Sequence, residues 1–200
     1  MHNCIFTPHC TEAICDQSCP ILAETSYLLE RNGVEMSSPV FNSRPEDIKN
    51  AVSIIQKTES RYDKFSVVTC NNTIGVSNLL TYCAICQNWK GNRLHCNVYN
   101  LKFSNYIEEI KQSWSRKTPP DKLEYKQIWA ATSKILIISN LDFVRFQDFE
   151  IQTLLNLIHS RMDKGLTTVV VSPKLTTLVG DGQFYHRMQG MFGKAVISWQ

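Results

Sequence analysis

Residues 70–78 read Cys-Asn-Asn-Thr-Ile-Gly-Val-Ser-Asn, directly after the apolar run Phe65–Thr69 and before an apolar segment that begins at Leu79. Phosphate-binding loops carry Gly, four residues, then Gly-Lys-Ser/Thr, set between a β-strand and a helix. Gly75 and Ser77 stand at that spacing, while Cys70 replaces the first glycine and Val76 replaces the lysine. Any strand-to-helix turn favours glycine and a capping hydroxyl, so the neighbouring elements have to decide what the stretch is.

Outward from it, strands and helices alternate. The pattern predicts strand Phe65–Thr69, helix Ser77–Trp89, strand Leu94–Tyr99 and helix Ser104–Trp114, then a polar connection through Thr118-Pro119-Pro120. Strand Lys134–Ser139, helix Phe146–Asp163, strand Thr167–Val171, helix Gln183–Phe192 and a closing strand Ala195–Trp199 follow. Upstream, Ser43-Arg44-Pro45-Glu46 reads as a capping box ahead of a helix over 44–58, whose apolar face is Ile48, Ala51, Val52, Ile54 and Ile55. Strands such as Ile135-Leu136-Ile137-Ile138 and Val169-Val170-Val171 are continuous apolar runs, as expected of strands buried on both faces. The expected fold class is therefore α/β, a three-layer core with a parallel sheet between helices.

Ahead of this unit, Pro20 to Asn32 has the stripe of a short helix, and Gly33 supplies its stop. The division expected is a cysteine-rich segment with its helix over 1–33, a linker over 34–42 and the α/β domain over 43–200. At 200 residues, 43% hydrophobic and 20% charged, the chain can bury one sizeable core. No run approaches the ~18 apolar residues of a membrane span, and the polar start lacks the regions of a signal peptide. A soluble, cytoplasmic protein with no membrane contact is expected.

Four of the eight cysteines, Cys4, Cys10, Cys15 and Cys19, fall in the first twenty residues. Four thiols that close together match the ligand count of a tetrahedral Zn²⁺ site, and metal binding would let so short a piece fold. Zinc is therefore the expected metal; the paired Cys-x2-Cys knuckles of zinc ribbons are missing and Cys19-Pro20 echoes iron–sulfur proteins, so an iron–sulfur cluster is the alternative and free thiols the bland reading. Cys83, Cys86 and Cys96 lie in apolar segments and read as small core residues.

A net charge of +3 with a sequence pI of 8.4 permits contact with nucleic acid without arguing for it. The stretch with Lys111, Arg116, Lys117, Lys122 and Lys126 has Trp114, Tyr125 and Trp129 interleaved, which suits single-stranded DNA by charge and stacking. Its bland counterpart is a solvated helix face and loop.

A phosphate-binding core needs an acidic residue after a second apolar strand to hold Mg²⁺. Here Ile135-Leu136-Ile137-Ile138 runs into Ser139-Asn140-Leu141-Asp142, with serine and asparagine at the expected carboxylate positions. Residues from about Phe41 to Trp199 resemble the AAA+ core of bacterial helicase loaders of the DnaC/DnaI type and their transposition relatives of the IstB type. The resemblance rests on the order of these elements, on strand Thr167–Ser172 and on the run from Leu178-Val179-Gly180 through Phe184-Tyr185-His186-Arg187-Met188. It implies a P-loop lysine at Val76, a hydroxyl at Ser77, Walker B carboxylates at Ser139 and Asn140, a sensor residue near Ser172, and two arginines at Gln183 and Arg187. Most of these positions have lost the family residue. A nucleotide there would leave its phosphate charge largely uncompensated, where each missing group is worth roughly 10³-fold in rate.

The expectation is a catalytically inactive AAA+ protein with no use for ATP. Its resemblance implies a DNA-replication accessory, encoded by a phage or mobile element, that assembles with copies of itself and binds a replicative helicase or an active AAA+ partner. A weak ATP-dependent loader and a transposition regulator are the alternatives.

Overall fold

The computed structural model describes residues 20–34, 43–88, 97–115, 121–173 and 195–199. Five apolar runs hydrogen-bond side by side: β1 (Phe65–Thr69), β2 (Val98–Lys102), β3 (Ile135–Ser139), β4 (Thr167–Ser172) and β5 (Val196–Ser198). All four pairings are parallel, in the spatial order β2-β3-β4-β1-β5. The expectation of a parallel sheet is met for the reason given: every residue of β3 and β4 is buried.

Helices cover both faces. On one lie α1 (Pro20–Arg31), α2 (Pro45–Ser60) and α3 (Thr73–Asn88), whose Leu28, Leu29, Ile54, Ile55, Leu80 and Ile85 meet Val68, Ile135, Ile137 and Val169 of the sheet. On the other lie α4 (Phe103–Trp114), α5 (Asp121–Thr132) and α6 (Asp148–Asp163), packed on Phe65, Val67, Leu136, Ile138 and Val170. This is a three-layer α/β arrangement. Alternation along each strand sends successive side chains to opposite cores.

Several elements depart from the expectation. Helix α1, placed with the N-terminal segment, is docked on the sheet: Leu28, Leu29 and Val34 join the first core, and the Asn32 Oδ1 accepts the Asn100 N–H of β2 at 2.7 Å. Ser43 does not cap α2; the cap position is Arg44, whose guanidinium instead pairs with Asp47 at 3.1 Å. Strand β2 begins at Val98 and runs to Lys102, so Leu101 belongs to it. Helix α5 forms where the sequence pattern predicts no element between the Thr118-Pro119-Pro120 connection and strand Lys134–Ser139. The cysteine segment, the stretch over 89–96 with Cys96, and the expected helix Gln183–Phe192 lie outside the described residues.

One buried cation joins the second core. Arg161 of α6 is completely buried and donates from Nε to Thr168 Oγ1 at 2.9 Å, from Nη1 to the Ala130 carbonyl at 2.8 Å and from Nη2 to the Thr167 carbonyl at 2.7 Å. Ala130 lies in the last turn of α5, where carbonyls lack intrahelical donors and the helix dipole is negative. Burial brings its pKa down to about 10, so at neutral pH the guanidinium is still charged. Among the described residues a helix end, a threonine hydroxyl and a strand carbonyl compensate it, and no carboxylate does.

Candidate functional site

The carboxyl ends of the strands are where open parallel sheets bind ligands. At that edge the β1–α3 turn consists of Cys70, Asn71 and Asn72 alone, because α3 starts at Thr73 and not at Ser77 as expected. Of the eight motif positions, Thr73 to Ser77 are therefore already helical, and only Cys70 to Asn72 remain to form a loop. Gly75 sits in the first turn, where its N–H donates to Asn72 Oδ1 at 2.9 Å and Val76 N–H donates to the Asn72 carbonyl at 3.0 Å. This is a side-chain helix cap, and it satisfies a donor that a P-loop would offer to phosphate.

Gly75 is glycine for a local reason. A Cβ there would overlap the carboxamide of Asn72. The two positions should consequently be coupled. Asn72→Ala is expected to cost about 1 kcal/mol, and Gly75→Ala alone to gain nothing because it evicts the cap. In the Asn72→Ala background the same Gly75→Ala is expected to stabilise by about 0.5 kcal/mol through helix propensity. Equal effects of Gly75→Ala in both backgrounds, measured by urea unfolding, would refute the coupling.

The other two motif positions face inward. Val76, 6% exposed, belongs to the first core, and Ser77, 2% exposed, donates its hydroxyl to the Ile74 carbonyl at 3.0 Å. Cys70 lines the same core, its N–H bonded to the Ser172 carbonyl at 3.0 Å. Burial, with the nearby Asp142 charge adding to it, pushes the Cys70 thiol up to about 11, so it is protonated and a poor nucleophile at neutral pH.

At the end of β3, Ser139 is buried and donates to Asn100 Oδ1 at 3.0 Å, across to the neighbouring strand. Asn140 adopts a left-handed conformation, φ 59° and ψ 36°, which asparagine tolerates better than most residues, and it turns the chain into a short 3₁₀ helix over Leu141–Phe143. This geometry delivers Asp142 to the first turn of α3, where its Oδ2 lies 3.5 Å from Thr73 Oγ1. The carboxylate sits near the positive end of a helix, a favourable place for it. Nothing in the sequence spacing marks Asp142 as a partner of Thr73, because no local pattern tells that the two turns meet. Ser172, buried at the end of β4, takes part in the same edge through its carbonyl.

Of the basic stretch, the described side chains are ion-paired. Lys126 pairs with Glu109 at 2.5 Å, and Lys111 pairs with the buried Glu150. Burial would raise the pKa of Glu150, yet Lys111 and the backbone donors around Gln147 outweigh it and hold the carboxyl below its usual range. Trp129 is engaged by the Arg31 guanidinium, 4.8 Å from the ring centroid, and by Tyr99 at 5.7 Å, so it is no free stacking platform. Trp114 and Tyr125 are exposed. Arg116 and Lys117 lie outside the described residues, as do the side chain of Lys122 and Gln183 and Arg187.

Cys4, Cys10, Cys15 and Cys19 also lie outside them. Among the described residues no group of three or more His, Cys, Asp or Glu is placed to hold a metal ion. Cys83 is a buried core residue, its thiol pushed up to about 12 by burial, and it forms no disulfide with the half-buried Cys86. No helix among the described residues is long and apolar enough to cross a membrane. Compared with models of protein families and with curated proteins, the chain matches none.

Proposed function

We propose that this chain is a degenerate AAA+ domain that neither binds nor hydrolyses ATP and serves as a binding module for a replicative helicase or a catalytically competent AAA+ partner. The observation that carries this reading is the β1–α3 turn. Three residues, Cys70 to Asn72, join strand and helix, and the helix start is taken by the chain's own Asn72 oxygen and approached by the Asp142 carboxylate. A phosphate would have to displace both, without a lysine to repay the loss.

The purified chain is expected to show no saturable binding of a fluorescent ATP analogue up to about 1 mM, a limit corresponding to roughly 4 kcal/mol, and no Mg²⁺-dependent turnover. Turnover that disappears on Ser77→Ala would overturn the reading. Affinity purification from native extract should yield a hexameric helicase or an AAA+ ATPase. Recovery of a transposase in their place would move the protein to transposition control.

A further inference from the structure

Beside the outer strand β2, at the far side of the sheet from the β1–α3 turn, the surface opens into a cavity of about 150 Å³. Its lining includes Arg31 and Gly33 from the end of α1, Asn100 and Lys102 of β2, and Asn105 from the first turn of α4, with Lys126 of α5 at its border. With β3 and β4 between β2 and β1, and strands spaced about 4.8 Å apart, the two places are roughly 14 Å from each other. They are separate sites.

The cavity is rich in donors that no described residue answers. Lys126 is neutralised by Glu109, but Arg31 and Lys102 have no acidic partner among the described residues. Arg31 Nε is buried without a hydrogen-bond partner, although the same guanidinium lies over the Trp129 ring. Among the described residues, Lys102 Nζ reaches only the Gly33 carbonyl, at 3.4 Å. Asn100, 4% exposed, keeps its side-chain Nδ2 without a partner as well. Lys102 is also the cap residue of α4, a 12-residue helix, and it makes no side-chain cap bond, so the first-turn N–H groups lack that acceptor. Buried donors left unpaired are costly, and native sites rarely keep several together without a ligand to receive them.

We infer that this cavity binds a phosphate group, held by Arg31 and Lys102 at the start of α4. Donor-bearing residues come from the end of α1, from β2 and from the α4 terminus, and the oxygens of a tetrahedral anion can accept from all three. A helix N-terminus flanked by arginine and lysine is a common solution for phosphate. Tyr99 stays protonated beside it: burial pushes its pKa up to about 12, Glu109 and Tyr106 add to this, and Arg31 opposes it. The cavity has room for a phosphate group and opens to the surface, so the remainder of a phosphorylated ligand would extend toward solvent.

The test is a titration of the full-length chain, followed by amide NMR at constant ionic strength in chloride. Inorganic phosphate should shift the Gly33, Asn100 and Asn105 amides saturably, with half-saturation on the order of 1 mM or below, the scale of a few charge-assisted hydrogen bonds. Arg31→Gln and the surface variant Lys102→Gln should each weaken binding by about ten-fold, while the Thr73 amide stays still in every titration. A phosphomonoester such as phenyl phosphate distinguishes the source. Tighter binding than inorganic phosphate assigns the cavity to a phosphorylated ligand, and equal binding to the free ion. Unsaturable shifts, equal binding of acetate, or affinity unchanged in Lys102→Gln would each overturn the inference.

Discussion

Arg161→Ala is expected to lower the unfolding free energy by about 4 kcal/mol, more than any other single truncation on the α4–α6 face. Two costs combine. The side chain is wholly buried, so its removal leaves a void of several methylenes, and the acceptors Thr168 Oγ1, Ala130 carbonyl and Thr167 carbonyl lose their donors together. In a chain of this size the midpoint of thermal unfolding should fall by about 10 °C. Arg161→Met keeps most of the volume and removes the charge, so it should recover about half of the loss. If Arg161→Ala unfolds in urea within about 1 kcal/mol of wild type, the guanidinium is not an important link between α5, α6 and β4.

The second large effect concerns the position where a P-loop has its lysine. Val76→Lys, which restores the pattern on paper, is expected to destabilise the chain by about 3 kcal/mol and to confer no ATP binding. Val76 packs among Val68, Leu79, Leu80 and Val171 in the first core, and an ammonium there must shed its water, or its proton, in apolar surroundings. The lysine can reach solvent only by deforming the first turn of α3, at the expense of the Asn72 cap. Urea unfolding combined with ATP titration of the variant decides the matter. A folded variant of wild-type stability that binds Mg²⁺-ATP would mean that the turn can reopen as a phosphate loop.

The layered α/β architecture was legible because the strands that fill the middle of the sheet are continuous apolar runs, and such runs separated by helical patterns leave few alternatives to a parallel sheet. The start of α3 was not. Gly75 invites a loop reading, whereas here it is a first-turn residue whose missing Cβ makes room for Asn72, and a glycine alone does not tell one use from the other. Helix α5 was hidden by Pro119-Pro120 and by charges that dilute its apolar stripe to Leu123, Trp129 and Ala130. The meeting of Asp142 with Thr73 depends on strand order, and no local pattern encodes which strands become neighbours. Arg161 was equally opaque, since a helical arginine normally faces water and only the packing of α5 over it closes the site. The cavity beside β2 draws its lining from α1, β2, α4 and α5, which no local reading of the chain could bring together.

The bond from Asn100 N–H to the Asn32 carboxamide also has a colloidal consequence. An outer strand with free ladder donors is a template for other chains, and proteins commonly blunt it with charge, proline or a covering element. Here a side-chain oxygen from the end of α1 takes the outward N–H in the middle of β2, and the Lys102 ammonium stands two residues further on. The solubility of the folded chain at high concentration therefore depends in part on one asparagine, and on α1 staying docked to hold it there.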